Sequence, residues 1–322
     1  MKNLSTHLKE SNIDKSLIEI LEHITQASAE INQLLRKGAL GKALGCSETI
    51  NIQGEQQAKL DIISNEILKN SLIRSSHIKS IASEEEEFTV AGDVNGNYVI
   101  AYDPLDGSSN IDINAQVGTI FSIFPAKSNI KANDAAQFFQ SGHNQVCAGY
   151  ILYGPSTQLV IAVNGSVSSY TLNETLQFIL THEKLQIPES SNNFAINMSN
   201  SEFWDDNCKA YIHQLQQGKF GPRKTKFNMR WNGAMVGDVH RLLLKGGIFL
   251  YPTNHLNDGK SIAKLRLLYE AFPMALIIKL AGGKAYSSDN PILEQEISSL
   301  HQRTAVILGS SSEVDQYLCN RQ

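Results

Sequence analysis

The sequence predicts an α/β protein in which helix and sheet layers alternate. A long helical pattern near the N-terminus is followed by several short strand-like runs, and helices and strands alternate again beyond about residue 190. The 322 residues, of which 42% are hydrophobic and 19% charged, suffice for a large buried core. We expect two tightly associated halves, residues 1–190 and 191–322, which meet near residues 188–193.

The composition argues against several kinds of partner. The formal net charge is −4 and basic residues do not cluster, so nothing favours binding to nucleic acid or to an anionic membrane. The four cysteines are scattered, which argues against a zinc site or disulfide framework and favours a reducing compartment. The N-terminal residues lack the apolar core of a signal peptide, and no apolar run approaches a membrane span. We therefore expect a cytoplasmic protein.

Helical spacing organises the first part of the chain. Apolar residues recur at that spacing over residues 13–37, and Gly38 caps the predicted helix. A second helix is predicted over residues 55–71, with Asp61 at the margin of its apolar stripe. A strand over residues 77–82 ends in a run of four glutamates. Each of these acidic features, on its own, is better explained as a solvated charge.

The middle of the chain is rich in predicted strands. Asn95 and Gly96 indicate a hairpin turn, which leads into a buried strand over residues 98–102. More strands follow at residues 117–124, 146–153, 158–163 and 166–172. Beyond residue 193, strands are predicted at residues 194–197, 248–251 and 304–308, and helices at residues 204–217, 233–245, 273–281 and 313–318.

Two carboxylates and a row of small residues follow the strand that ends at Tyr102. Pro104 disfavours the helical region for Asp103, so we expect the chain to leave the strand as a turn in which Asp103 and Asp106 converge. A divalent cation beside a phosphate fits this arrangement, although one such turn is more often chain punctuation. The next residues have little side chain, so their backbone N–H groups can face an anion: Gly107, Ser108 and Ser109.

Further carboxylates lie at the ends of predicted elements. Acids at the exit of a strand occupy the edge where open α/β sheets bind ligands. No histidine and cysteine set competes for a softer metal, and oxygen-only ligands suit magnesium or manganese. The candidate acids are Glu55, Asp61, Glu84, Glu85, Asp103, Asp106 and Glu270.

Seven segments together resemble the class I fructose-1,6-bisphosphatases. Residues 103–108, Asp-Pro-Leu-Asp-Gly-Ser, alone resemble the wider lithium-sensitive, magnesium-dependent phosphatase superfamily, and the later segments narrow the resemblance to sugar bisphosphatases. The match runs from about residue 53 almost to the C-terminus and implies a layered α-β-α-β-α sugar-phosphatase fold. The segments are residues 54–61, 83–85, 103–112, 117–121, 246–252, 265–270 and 301–303.

The resemblance implies roles for the acids. It implies a magnesium site, with manganese as a substitute, whose ligands are Glu84, Asp103, Asp106, Glu270 and the backbone carbonyl of Leu105. Glu55 and Glu85 match acids that assist a further metal or the active-site loop. Asp61 matches the acid that activates water together with Glu84 or Glu85.

The resemblance also implies where a sugar bisphosphate binds. The phosphate to be cleaved would contact Asp106, the backbone of Gly107, Ser108 and Ser109, and the side chain of Arg266. The far phosphate would bind to Asn197, Tyr251 and Lys264, and to Arg230 from a neighbouring subunit of a homotetramer.

Several positions depart from the family pattern. Trp231 stands where the family usually has a tyrosine near the far phosphate, and Asn200 stands where many members have another. Asn97 and Pro125 replace basic residues of the site at which animal enzymes bind inhibitory AMP, so we expect weak or no AMP inhibition through that site. The cysteine-bearing regulatory insertion of chloroplast forms is missing, so we expect no thiol control.

The expected reaction is magnesium-dependent hydrolysis of D-fructose 1,6-bisphosphate to D-fructose 6-phosphate and phosphate, in gluconeogenesis or a carbon-fixation cycle. One alternative is a sedoheptulose-1,7-bisphosphatase, as the sole or a second activity. Another is a catalytically silent, metabolite-binding regulator on the same fold. The complete set of acids argues against the regulator.

Overall fold

The computed structural model describes residues 2–41, 46–50, 56–256 and 258–320. Helix α2 agrees with the first predicted helix, and it ends where Gly38 donates its backbone N–H to the carbonyl of Leu35. The helices are α1 (Leu4–Glu10), α2 (Lys15–Lys37), α3 (Lys59–Leu72), α4 (Asp206–Gln216), α5 (Met235–Lys245), α6 (Phe272–Leu280) and α7 (Ser311–Cys319).

Strands lie between these helices in the chain. They are β1 (Cys46–Ile50), β2 (Gln56–Ala58), β3 (Ile78–Ser83), β4 (Val90–Ala91), β5 (Tyr98–Asp106), β6 (Val117–Pro125), β7 (Cys147–Tyr153), β8 (Thr157–Val163), β9 (Ser166–Leu172), β10 (Phe178–His182), β11 (Asn193–Ile196), β12 (Asn228–Met229), β13 (Ile248–Tyr251), β14 (Asn254–His255), β15 (Ser261–Ile262), β16 (Leu265–Arg266), β17 (Lys284–Ser287), β18 (Asn290–Pro291), β19 (Arg303–Thr304) and β20 (Val306–Gly309).

The larger sheet has eight strands in the order β10-β9-β8-β7-β6-β5-β3-β4. Strands β3 and β5 are parallel, and the other neighbours are antiparallel. Ser83, the last residue of β3, pairs with Tyr102. The carboxyl ends of these two strands therefore meet at one edge, which brings the run of glutamates beside Asp103.

The smaller sheet has six strands in the order β12-β11-β13-β20-β17-β18. Strands β11 and β13 are parallel, with Phe194 opposite Ile248. Their carboxyl ends lie side by side because parallel strands in register end together. Asn197 follows the first of these strands and Tyr251 ends the second.

Among the described residues, three hydrophobic cores hold the layers together. Helices α1 to α3 pack on one face of the larger sheet, where Leu21 and Ile100 share a core. The opposite face packs on α5 and α6, which also cover the smaller sheet, so Phe124, Val239 and Phe249 belong to one central core. Helices α4 and α7 cover the outer face of the smaller sheet. This order confirms the expected α-β-α-β-α layering.

The expected hairpin at Asn95 and Gly96 is wrong. A turn does form, in which Gly96 donates its backbone N–H to the carbonyl of Asp93 at 2.9 Å. The strand before the turn, β4, nevertheless pairs with β3, and β3 separates it from β5. The second helix also starts later than expected, at Lys59, because Gln56–Ala58 form a strand.

Strand β5 is longer than the predicted strand. It continues through Pro104 to Asp106, where we expected a turn. The ladder with β6 shifts register between Asp103 and Asp106, and the hydroxyl of Thr119 donates to the carbonyl of Pro104 at 2.9 Å. Such a bulge tolerates proline and re-aims the neighbouring side chains. The bulge, and not a turn, brings the two aspartates together.

The predicted helix at Pro273 begins earlier than expected. A π-helical turn, Leu267–Ala271, runs directly into α6 and carries Glu270. Turns of this kind often occur at functional sites.

Within the described ranges, no helix is both long enough and apolar enough to cross a membrane. The division into residues 1–190 and 191–322 stays a prediction, and the central core draws residues from both stretches, such as Phe124 and Phe249.

Candidate active site

A cavity of about 370 Å³ opens where the carboxyl ends of β3, β5 and β13 come together. Carboxylates line one end, which we call the acid end, and aromatic and amide side chains line the other, the far end. Except for Arg230, all the described residues to which the resemblance assigns a metal-binding, water-activating or substrate-binding role line this cavity: Asp61, Glu84, Glu85, Asp103, Leu105, Asp106, Gly107, Ser108, Ser109, Asn197, Tyr251, Lys264, Arg266 and Glu270.

Three acids at the acid end could hold one metal ion. Asp103, Asp106 and Glu270 each offer a ligand atom, and these atoms lie within 4.8 Å of one another. Among the described residues, this is the cluster of acidic, histidine or cysteine side chains that is compact enough to hold a metal ion. All three side chains are at most 9% exposed. Oxygen donors so close together match the preference of hard divalent cations.

The main chain orients each of these three carboxylates. Asp103 accepts a hydrogen bond from the N–H of Leu105 at 2.9 Å, and Asp106 accepts one from the N–H of Val236 at 2.7 Å. Glu270 accepts one from the N–H of Arg266 at 2.6 Å. Each of the three carboxylates also offers an oxygen as a candidate ligand. Because Val236 belongs to α5, the acid end is tied directly to the helix layer between the sheets.

The protonation of these acids reflects their burial. Loss of solvation raises the pKa of Glu84, Asp106 and Glu270 to about 7, and it raises the pKa of Asp103 well above its usual range. Neighbouring carboxylates add to the rise because like charges disfavour ionisation. Carboxyl groups that retain their protons near neutral pH release them when a cation binds, because the cation favours the charged carboxylates.

Glu84 has a cationic partner of its own. Its carboxylate lies 2.6 Å from the guanidinium of Arg266, and its side chain is 12% exposed. It also shares a hydrogen bond with Asp103. The guanidinium of Arg266 is also 3.9 Å from the carboxylate of Glu270, so this arginine lies between the two glutamates. The positive charge of Arg266 opposes the rise in pKa at both glutamates.

Gly107 begins the predicted phosphate cradle. It adopts a left-handed conformation with φ of 78°, and Ser108–Asn110 form a 3₁₀ turn after it. A Cβ at this position would lie 2.3 Å from the Cβ of Ala234, so the space as well as the backbone conformation requires glycine. Asn110 donates to the carbonyl of Asn232 at 2.9 Å, which fixes the cradle against the segment that precedes α5.

The two remaining candidate acids approach from different elements. Asp61 lies in the first turn of α3 and is 5% exposed. Glu85 follows β3, and its backbone N–H donates to the hydroxyl of Ser83 at 3.3 Å. Both line the cavity. Glu55, the other predicted acid, lies outside the described residues.

At the far end, Asn197 and Tyr251 are half-buried and Lys264 is exposed. Trp231 also lines this end, and its ring stacks on Phe249 with centroids 6.0 Å apart and an interplanar angle of 8°. Trp231 and Tyr251 are tilted neighbours, also 6.0 Å apart. The indole therefore belongs to an aromatic cluster that forms one wall of the cavity.

Two predicted positions do not contribute to this cavity. Arg230 is exposed, and its guanidinium donates to the carbonyl of Met229 at 2.8 Å. Asn200 is half-buried in the turn after β11 and does not line the cavity either.

Comparisons with known proteins agree with this arrangement. Models of the N-terminal and C-terminal domains of fructose-1,6-bisphosphatase match residues 3–183 and 187–320. The chain therefore belongs to the fructose-1,6-bisphosphatase family. The class 1 fructose-1,6-bisphosphatase of Cellvibrio japonicus is 50% identical over 316 residues, which cover 98% of each chain. The Shewanella halifaxensis class 1 enzyme is 49% identical over 319 residues, which cover 99% of this chain and 96% of that protein.

A solved structure shows the same fold. The structure of Leishmania major fructose-1,6-bisphosphatase in its holo form aligns with a TM-score of 0.93 and 38% identity, over 99% of this chain and 98% of that one. The layered fold and the family membership predicted from the sequence segments are therefore both correct.

The sequence interpretation missed residues that shape the fructose-1,6-bisphosphatase cavity of this chain. Gly233, Met235 and Phe249 line it, but they lie in segments whose pattern indicates only a helix start and a buried strand. Asp238 was also missed: it is buried in α5 and accepts the backbone N–H of Asn232 at 3.0 Å, which holds the segment that carries Trp231. A charged residue within the apolar face of a predicted helix was the available signal.

Proposed function

We propose that the chain hydrolyses D-fructose 1,6-bisphosphate to D-fructose 6-phosphate and phosphate with magnesium as the cofactor. One observation carries the proposal: three buried carboxylates with ligand atoms within 4.8 Å of one another share a cavity with a glycine-led turn and an arginine. Cation ligands beside a phosphate cradle are suited to the metal-assisted hydrolysis of a phosphate ester.

The donor set fits a magnesium ion, with manganese as a substitute. Asp103, Asp106 and Glu270 would hold it, together with Glu84 and the carbonyl of Leu105. When bound, the ion supplies positive charge that offsets the repulsion between phosphate and nucleophile and stabilises the leaving oxygen. The raised pKa values of the free acids support this assignment, because a cation replaces the protons that these groups otherwise retain.

The protein groups around the acids bind and orient the substrate. The backbone N–H groups of residues 107–109 and the guanidinium of Arg266 would bind the phosphate that is cleaved. Asp61, with Glu84 or Glu85, would accept the proton of the attacking water, and all three line the same end of the cavity.

The far end would hold the second phosphate. Asn197, Tyr251 and Lys264 supply hydrogen-bond donors there, and remote binding of this kind positions the reacting phosphate. Arg230 is exposed and does not line the cavity of its own chain, which agrees with a role in the cavity of a neighbouring subunit in a homotetramer. We place the enzyme in the cytoplasm, in gluconeogenesis or a carbon-fixation cycle.

The direct test is phosphate release from fructose 1,6-bisphosphate with and without magnesium. We expect turnover that depends on the ion, stops with a chelator, and is lost in Asp103→Ala. The exposed aspartate of the first turn of α4 provides the control, since Asp206→Ala should behave as wild type. Wild-type turnover by Asp103→Ala, or no turnover by the intact protein with magnesium, would overturn the proposal.

A further inference from the structure

The buried side chain of Asn65 connects helix α3 to the acidic turn, which we define as residues 83–87. Its Oδ1 accepts hydrogen bonds from the hydroxyl of Ser83 at 2.7 Å and from that of Tyr102 at 3.1 Å. Its Nδ2 donates to the carboxylate of Glu86 at 2.8 Å. Only 4% of Asn65 is exposed; its hydrogen bonds to the two hydroxyls are buried, and the one to Glu86 is part-buried.

These hydrogen bonds continue into the backbone of the acidic turn. The hydroxyl of Ser83, which donates to Asn65, accepts the N–H of Glu85 at 3.3 Å. The carbonyl of Glu86 accepts a hydrogen bond from His301 at 3.1 Å, and its carboxylate lies 2.6 Å from the ammonium of Lys69. The turn is thus held from α3 on one side and from the C-terminal part of the chain on the other.

The connection joins the two groups that would activate water. Asp61 lies one helical turn before Asn65 on α3, and residues four apart project from the same face of a helix. Glu84 and Glu85 lie on the turn that Asn65 holds. A shift of the turn relative to α3 would change the distance between Asp61 and these glutamates.

We propose that Asn65 is a positioning residue which fixes the acidic turn relative to Asp61. This role rests on the proposed hydrolysis. The side-chain amide of Asn65 suits this role because its oxygen accepts from two hydroxyls while its nitrogen donates to a carboxylate. An aspartate of equal size would still accept, but it would have no donor for Glu86 and would face it with a second negative charge.

Exchanging donor and acceptor provides the test. Asn65→Asp removes the donor, and the double variant N65D/E86Q restores a hydrogen bond in the opposite sense, from the amide at position 86 to the carboxylate at position 65. Lys69 keeps a carboxylate partner in the double variant. Asn70→Asp is the matched control, because Asn70 is exposed on the same helix.

The first measurement is hydrogen exchange of the metal-free proteins. We expect the backbone amides of residues 84–87 to exchange about tenfold faster in Asn65→Asp than in wild type, while those of α6 stay unchanged. In the double variant N65D/E86Q, the exchange of these amides should slow again to nearly the wild-type rate. Equal exchange at residues 84–87 in wild type and Asn65→Asp, or faster exchange throughout the chain, would refute a positioning role.

The second measurement is kinetic. A displaced turn should lower the kcat of Asn65→Asp about tenfold with little change in KM, and N65D/E86Q should recover at least part of the loss. Asn70→Asp should match wild type. If the wild type itself releases no phosphate, the proposed function fails; if the wild type is active and Asn65→Asp has its full kcat, only the role of Asn65 fails.

Discussion

The two ends of the cavity are built in different ways. At the acid end, Asp103, Asp106 and Glu270 are buried, and a backbone N–H holds each carboxylate. At the far end, Tyr251 is half-buried, Lys264 is exposed, and ring contacts form the wall. The main chain therefore fixes the three proposed metal ligands, whereas ring contacts between side chains form the wall at the far end.

The difference indicates which end can vary. A carboxylate held by a backbone N–H has a fixed position, and another side chain cannot easily take over its role, so its replacement should cost turnover. A side chain in an aromatic wall can be exchanged while the wall persists. Trp231, whose ring stacks on Phe249, is a position of the second kind.

The largest effect should follow Asp106→Asn. The amide oxygen can still accept from Val236, so the link to α5 survives, but the charge that would hold a cation is lost. We expect kcat to fall more than about a hundredfold, beyond the usual effect of losing a residue that only supports a ligand. Steady-state kinetics against magnesium concentration tests this, with Asp206→Asn as the control. A loss below about tenfold would show that the acid end tolerates change as the far end does.

A second consequence of burial is pH-dependent stability of the metal-free protein. Glu84 and Glu270 have a pKa of about 7 when folded, compared with a usual value of 4.5, so the folded state binds more protons between these pH values. The free energy of unfolding should therefore fall, by more than about 1 kcal/mol, as pH rises through this window.

Urea denaturation with a chelator, at several pH values across that window, measures the slope. Glu270→Gln should flatten it, because one of the groups that retain protons is gone, and magnesium should restore stability at the upper end. A stability that rises with pH would contradict the buried, proton-retaining character of the acid end.

Some parts of the fold and of the candidate site could be predicted from the sequence, and others could not. The spacing of apolar residues sufficed to predict α2, and local composition sufficed to predict that Asp103 and Asp106 lie close together. Pairing between distant segments is not encoded locally, so the pattern could not show that β4 pairs with β3. The role of Asn65 was equally hidden, since its partners are 18 to 37 positions away in the chain.

At the far end, the predicted effects are smaller and concern binding. Lys264→Met keeps the aliphatic stem but removes the ammonium, so it should raise KM for fructose 1,6-bisphosphate about tenfold, the value of one hydrogen bond to a charged group. The kcat should change much less, because the three proposed metal ligands keep their hydrogen bonds to the backbone. A fall in kcat as large as that of Asp106→Asn would show that the two ends do not work separately.

The smallest expected effect comes from Trp231→Tyr. An indole can only donate one hydrogen bond, whereas a phenol donates and accepts, so the substitution should alter the ratio of kcat/KM for fructose 1,6-bisphosphate to that for sedoheptulose 1,7-bisphosphate by about threefold, at the low end of a single pocket contact. Trp231→Phe separates the two contributions, because it keeps a ring to pack on Phe249 but has no donor. If the two variants alter the ratio equally, the indole ring matters and the hydrogen bond does not; if only Trp231→Phe alters it, a donor of either kind suffices. An unchanged ratio in both would move the choice of sugar away from the aromatic wall, to Asn197 and Lys264.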